Sequence, residues 1–217
     1  MLRYFNQQWD TVPLVVLDTE TTGKYPGRDR TVQVGIVRFE HGVVVGSAWS
    51  YVDPGMPIPA EATAIHGITD QQVAGAPTLA EYFSQAEVVR LVTDAQPGGY
   101  NCGFDKRFLP PIGSVDWDWP WADSLTLIRK VDRYVGGKGN QKLAAACSRH
   151  GVELANAHDA AADAKAAGEL LYKLGREQFP KPYTMGKLLS WQLRAEAAEW
   201  ERFHIWRSGL PPRETTP

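Results

Sequence analysis

The sequence predicts an α/β domain with a helical appendage at its C-terminal end. Three observations carry this reading. Strand-like segments come first, between residues 13 and 52. Helical spacing dominates from residue 78 onward. Pro180 and Pro182 then break the pattern before one more long helical stretch. Strands followed by helices mixed with a strand describe a sheet covered by helices.

Residues 13–20, Pro-Leu-Val-Val-Leu-Asp-Thr-Glu, form an apolar run ending in acids, which reads as a buried strand whose end reaches a site. Thr21 to Arg30 holds Gly23, Pro26 and Gly27 and reads as a loop. In residues 31–40, Val32, Val34 and Ile36 alternate with Thr31, Gln33 and Gly35, the period of a second strand. His41-Gly42 forms a tight turn into a third strand, Val43 to Val52, completing a hairpin. Residues 53–77 are rich in Pro and Gly and read mostly as loop.

A single helix is expected from Thr78 to Asp94, with Leu79, Tyr82, Phe83, Ala86 and Val89 at helical spacing. Thr78 and Glu81 would form its capping box. Pro97-Gly98-Gly99 breaks it and leads to a short segment, Tyr100 to Phe104. Short helices are expected over Leu125–Val131 and Lys142–His150, with 136–141 a flexible connector. A clearer helix spans Asp159 to Leu174. Met185 to Arg207 reads as one long helix with Leu189, Leu193, Trp200 and Phe203 on one stripe. The expected divisions are an extension over 1–11, a domain over 12–179, the appendage over 180–209 and a disordered tail over 210–217.

A length of 217 residues suits one domain that buries a core without disulfides. No apolar run is long enough to span a membrane, and no secretory signal is evident. Cys102 and Cys147 are the two cysteines, which excludes a disulfide-dense scaffold and a zinc cluster. A reduced, cytoplasmic setting is expected. The formal charge is −2, which argues against binding nucleic acid through a basic surface alone. An enzyme that meets nucleic acid through metal ions stays compatible with it.

Three acidic clusters carry the candidate chemistry. Asp18 and Glu20 share one face of a strand, about 7 Å apart along the chain. Two carboxylates so placed repel, and a pair of metal ions about 4 Å apart would be bracketed by them. Asp105 closes Tyr100-Asn-Cys-Gly-Phe-Asp105 and opens a helix with Lys106 and Arg107. His158-Asp-Ala-Ala-Ala-Asp163 places His158 in the turn before a helix, Asp159 at its N-cap and Asp163 one turn in. The alanines that follow would let that helix pack closely on the sheet. Taken alone, the first two clusters read rather as an acidic strand-end turn and a helix N-cap, and the third also as an Ala-rich surface helix.

Taken together and in this order, the clusters resemble the DnaQ-like, or DEDDh, 3′–5′ exonucleases. That family includes the proofreading epsilon subunit of bacterial DNA polymerase III, RNase T and oligoribonuclease. Val15-Val-Leu-Asp-Thr-Glu-Thr-Thr-Gly23 is similar to its first motif, Asn101-Cys-Gly-Phe-Asp105 to its second and His158-Asp-Ala-Ala-Ala-Asp-Ala164 to its third. The Tyr variant of the third motif would need Tyr where Asp159 stands, which favours the His subclass. Ile65-His-Gly-Ile-Thr69 and Asp123-Ser-Leu125 resemble intervening segments.

The resemblance implies an RNase H-like, three-layer α/β/α fold with a five-stranded mixed sheet, its first three strands an antiparallel meander. It implies two divalent ions, Mg²⁺ or Mn²⁺, held by Asp18, Glu20, Asp105 and Asp163, a hard oxygen set suited to them. These ions would take the formal charge from −2 to about +2. His158 would act as general base toward a water attacking the terminal phosphodiester, an imidazole being largely neutral at pH 7–8. The product would be a 5′-nucleotide and a strand shortened at its 3′ end. Thr21, Thr22, Gly23, His66 and Asn101 are implied near the terminal nucleotide, and Lys24, Arg28, Arg30, Lys106 and Arg107 flank the motifs. The motifs lean toward DNA. RNA cleavage of the oligoribonuclease or RNase T type is the rival, and a silent binding module on this fold is the alternative of another class. The Trp117–Trp121 cluster reads as base-stacking surface or as packing. The 185–207 helix reads as packing on the domain, with polymerase recruitment or self-association as the other uses.

Overall fold

The apolar run at the start folds as β1, Leu14–Thr21, the central strand of the sheet. The computed structural model describes residues 4–109, 117, 119–137 and 139–208, without the side chains of 205, 206 and 208. The tail expected over 210–217 lies outside them. β2 (Thr31–Glu40) pairs antiparallel with β1, and β3 (Val43–Tyr51) antiparallel with β2. β4 (Gln96–Gly99) runs parallel to β1, and β5 (Ala122–Asp123) parallel to β4. The order is β3-β2-β1-β4-β5, a five-stranded mixed sheet that begins as a meander.

The pleat of β1 sorts its residues between two cores. Leu14 and Val16 face a core shared with Val37 and Phe39 of β2 and with α5 (Ser124–Val131), α6 (Leu143–His150) and α7 (Ala160–Gln178). Val15 and Leu17 face the opposite core, with Val34, Ile36 and the pair α3 (Leu79–Ser84) and α4 (Ala86–Val92). Asp18 and Glu20 continue the first parity, so the strand delivers both carboxylates to the α7 side.

Gly35 sets how close α7 comes. It sits opposite Asp18 in the β1–β2 register, and a Cβ there would run into the backbone of Ala160 and Ala161. Gln33, buried two residues earlier on the same face, accepts the Ala160 N–H (3.1 Å) and donates to Asp159 Oδ2 (3.2 Å). The first turn of α7 is thereby fixed on β2 beside Asp18. Gly35→Ala is expected to cost about 1–3 kcal/mol of stability by overpacking. It should also lower activity by lifting α7 away from β1. Thermal melts and turnover measured together test this; an unchanged Tm would contradict it.

Several local expectations change. The helix expected from Thr78 to Asp94 is two helices, because Gln85 is extended (φ −66°, ψ 134°) and the Ser84 hydroxyl donates back to the Glu81 carbonyl. Its Thr78–Glu81 capping box is present. Residues 53–77 include α1 (Ala60–His66) and α2 (Asp70–Val73), which bury Ala62 and Val73 against Val32, Ile58 and Ile68. Pro97-Gly98-Gly99, read as a break, lies within parallel β4. A buried strand made of Pro and Gly carries the same sequence signal as a turn. Trp117 and Trp121 are buried, with ring centroids 5.5 Å apart and Phe83 beside Trp117, so this cluster packs the core.

The C-terminal α8 (Met185–Ser208) docks through Met185, Leu188, Leu189 and Gln192. Of the expected stripe, only Leu189 is buried; Leu193, Trp200 and Phe203 are exposed. The start of α8 is tied to the N-terminal segment, where the Met185 and Gly186 N–H groups donate to the Gln7 and Phe5 carbonyls. Trp9 from that segment enters the core against Gly175. Among the described residues no helix is long and apolar enough to cross a membrane.

Candidate active site

The carboxyl ends of β1 and β4 and the start of α7 converge on one cleft of about 740 Å³. Asp18, Glu20, Asp105, His158 and Asp163 all line it. One ligand atom from each of Glu20, His158 and Asp163 lies within 4.8 Å of the others. Clefts at the carboxyl ends of strands are where open α/β sheets bind ligands.

Each side chain is held by local structure. Asp105 opens a 3₁₀ turn, Asp105–Arg107, and is buried; its Oδ1 accepts the Thr19 N–H (2.9 Å) and hydroxyl (2.7 Å). Asp159 caps α7 by accepting the Ala162 N–H, so Asp163 projects from the first turn. Asp163 Oδ2 accepts the His158 N–H at 3.2 Å, while its buried Oδ1 has no partner among the described residues. His158 itself is in the left-handed region (φ 68°), half-exposed, with Nδ1 3.9 Å from Glu20 Oε1.

The electrostatics are those of crowded acids. Burial, then the charges of Asp105, Asp163 and Glu20, push the Asp18 carboxyl well above the usual carboxylate range. Burial, then the charges of Asp163, Asp105 and Asp159, raise Glu20 to about 8. Burial raises Asp163 to about 6, although the His158 N–H and imidazole oppose it. Burial raises Asp105 too, against the two Thr19 hydrogen bonds. Four carboxylates in one cleft, one with an orphaned buried oxygen, form a hard oxygen donor set that a divalent cation fits.

The remaining expected residues divide. Asn101 lines the cleft in the left-handed region (φ 63°), and Lys24 lines it as well. Thr21, Thr22, Gly23 and His66 lie outside the cleft lining. The Thr21 hydroxyl donates to the Gly23 carbonyl, and the Thr22 hydroxyl accepts the Arg30 N–H. A Cβ at Gly23 would strike the Asp29 carboxylate, itself held by the Tyr25 N–H. His66 accepts the Ile68 N–H at Nδ1, and burial holds its imidazole below the ordinary value. Arg28 lies over the Tyr25 ring, and Arg30 donates to the Gly27 carbonyl.

Thr19, Gln33 and Asp123 hold the site in place without having been singled out for it. Asp123 caps α5 at the Leu125 N–H (2.8 Å) and also accepts the Asn101 (2.9 Å) and Cys102 (3.0 Å) N–H groups. The sequence signal for Gln33 was a polar residue on the buried face of a strand.

A mixed sheet with this order, with an acidic cleft at the carboxyl ends of its strands, defines an α/β domain with an enzyme-like site. The exonuclease family profile matches residues 15–171. The chain is 36% identical over 178 residues to a DNA polymerase III subunit epsilon-like protein of Rhodobacter capsulatus, covering 76% of this chain and 24% of that protein. It is 32% identical over 176 residues to the PolC-type DNA polymerase III of Latilactobacillus sakei, covering 79% of this chain and 12% of that protein. The chain thus spans a quarter or less of the length of these curated relatives. In fold it is similar to exonuclease X in complex with 5′-overhanging duplex DNA (TM-score 0.65, 22% identity), covering 81% of this chain and 99% of that one. It is likewise similar to Escherichia coli exonuclease I in complex with a dT13 oligonucleotide (TM-score 0.65, 24% identity), covering 78% and 42%. The chain belongs to the DnaQ-like exonuclease family.

Proposed function

We propose that the protein is a metal-dependent 3′–5′ exonuclease that removes 5′-nucleotides from the 3′ end of single-stranded DNA. The observation that carries this is the convergence of four carboxylates and His158 on one cleft. Asp18, Glu20, Asp105 and Asp163 would hold two divalent ions, Mg²⁺ or Mn²⁺. Such ions, when bound, neutralise the acids and polarise the phosphodiester.

The protein's own groups do the rest. His158, at the cleft edge beside Glu20, takes the proton of the attacking water on a ring nitrogen. The water oxygen bonds to phosphorus as the bond to the 3′ oxygen breaks. That oxygen takes a proton from solvent, leaving a 3′-hydroxyl on the shortened strand, and His158 releases to solvent the proton it accepted. Lys24 and Lys142 line the cleft as cations for the backbone phosphates. His66 and the Thr21–Gly23 backbone border the position of the terminal nucleotide. DNA is favoured because the curated relatives are DNA polymerase III proteins. The exposed outer half of α8 is the surface available to a polymerase or a second copy.

A gel time course with 5′-labelled single-stranded DNA and RNA of one sequence tests this reading. Mg²⁺, Mn²⁺ and EDTA are compared, with Asp163→Ala as control. A metal-dependent ladder shortening from the 3′ end, faster on DNA and absent in the variant, is expected. A faster RNA ladder would reassign the substrate. Binding without turnover would make the protein a silent module.

A further inference from the structure

β5 is only two residues long and ends the sheet, so its outer backbone groups need partners that no further strand among the described residues supplies. A side chain supplies them. Gln192, on α8 and buried, donates its amide to the Trp121 carbonyl (2.7 Å) and accepts the Asp123 N–H (2.8 Å). Its amide occupies the place of a peptide group in a sixth strand. The same NH₂ donates to Glu196 Oε1 (3.1 Å), whose oxygen also accepts the Thr126 hydroxyl.

The residue fixed in this way is the one that holds the second acidic motif. The Asp123 carboxylate takes the Asn101 and Cys102 N–H groups, and the neighbouring Ser124 hydroxyl donates to the Gly99 carbonyl at the end of β4. Asn101 is one of the described non-glycine residues in the left-handed region, a conformation that persists only where its surroundings over-determine it. Three residues after Cys102, the chain places Asp105 against Thr19 of β1. An unbroken series of hydrogen bonds therefore runs from α8 through Asp123 to the turn that carries Asp105.

We infer that Gln192 is a positioning residue for the catalytic centre, and that α8 is a working part of the nuclease domain. The inference rests on reading the cleft as a metal-dependent nuclease. Gln192 lies behind β5 and touches no cleft surface, so its loss acts on how Asp105 is held. Substrate binding should be little affected.

The test compares the intact protein with Gln192→Met, which keeps the length of the side chain and removes its hydrogen bonds. Val88→Ala, a core trim beyond the opposite face of the sheet, controls for stability. Mn²⁺ affinity is read by titration calorimetry, alongside kcat, KM and Tm. In Gln192→Met, Mn²⁺ affinity and kcat should each fall about 10-fold or more. KM should stay within about twofold. Val88→Ala should lower Tm alone. If Gln192→Met does not fold, Gln192→Leu, which likewise lacks the donor and the acceptor, makes the same comparison. Unchanged Mn²⁺ affinity and kcat in the Gln192 variant, or an equal loss in Val88→Ala, would overturn the positioning role alone. An unmodified protein that neither binds Mn²⁺ nor shortens DNA would overturn the nuclease reading and this role with it.

Discussion

Replacing Asp18 by Asn is expected to lower kcat by about 10³-fold or more while raising the Tm of the metal-free protein. Both effects have one cause. Burial and four neighbouring carboxylates, Asp105, Asp163, Glu20 and Asp159, disfavour the charge of Asp18. Without cations the fold bears that repulsion; on the proposed reading, with them the same charges would serve as ligands. Asn is nearly isosteric and removes both. The pH dependence follows with its sign. Glu20 and Asp163 have folded-state pKa values raised to about 8 and about 6, above the ordinary carboxylate range. Their contribution to stability is fully present below about pH 4 and is lost as pH rises through about 6 to 8. Metal-free protein should therefore lose stability between about pH 5 and 8, and Mn²⁺ should restore most at the upper end. Denaturant titrations in EDTA and in Mn²⁺ measure this. A metal-free stability that is flat or rising over that range would refute the electrostatic account.

The second large effect is expected at His158. His158→Asn should lower kcat about 10²- to 10⁴-fold with Mn²⁺ affinity nearly unchanged. Asn is the suitable replacement because position 158 is left-handed (φ 68°), a region that Asn tolerates and most side chains do not. The backbone hydrogen bond from residue 158 to Asp163 then survives, so the carboxylates stay in place. What is lost is the ring nitrogen proposed to accept the proton. Steady-state kinetics and Mn²⁺ titration on the same variant separate these contributions. An equal fall in metal affinity would make His158 a ligand, and a kcat within about tenfold of the intact protein would remove it from the chemistry.

Legibility differed by element for physical reasons. β1 is legible as an apolar run because both of its faces are covered; β2 and α7 are legible by their period, and β3 by the turn that joins it to β2. The α3–α4 break at Gln85 was hidden, since the apolar spacing runs through it without interruption. β4 was hidden more deeply. Its Gln-Pro-Gly-Gly carries no strand signal, because Leu14, Leu17 and Ala122 come too close to Gly98 and Gly99 to admit a Cβ there. The stripe expected on α8 failed because the helix buries apolar side chains only near its start, around Leu188 and Leu189, and is held farther along by polar contacts of Glu196 with Thr126 and Glu199 with Arg129.

The chemistry of the cleft was set by the sequence itself. Asp18 and Glu20 share a face because a strand has period two. Asp163 sits one turn inside α7 because Asp159 caps it, and His158 precedes that cap in the turn. These relations are local and follow from backbone geometry. What only the tertiary structure decided is how the three motifs are held to one another. Gly35 and Gln33 seat α7 on β2, Thr19 receives Asp105, and Gln192 fixes Asp123 from a helix far along the chain. Those contacts join residues distant in sequence through single side chains. No periodicity reports such pairs, and burial at one point in space is what makes each of them matter.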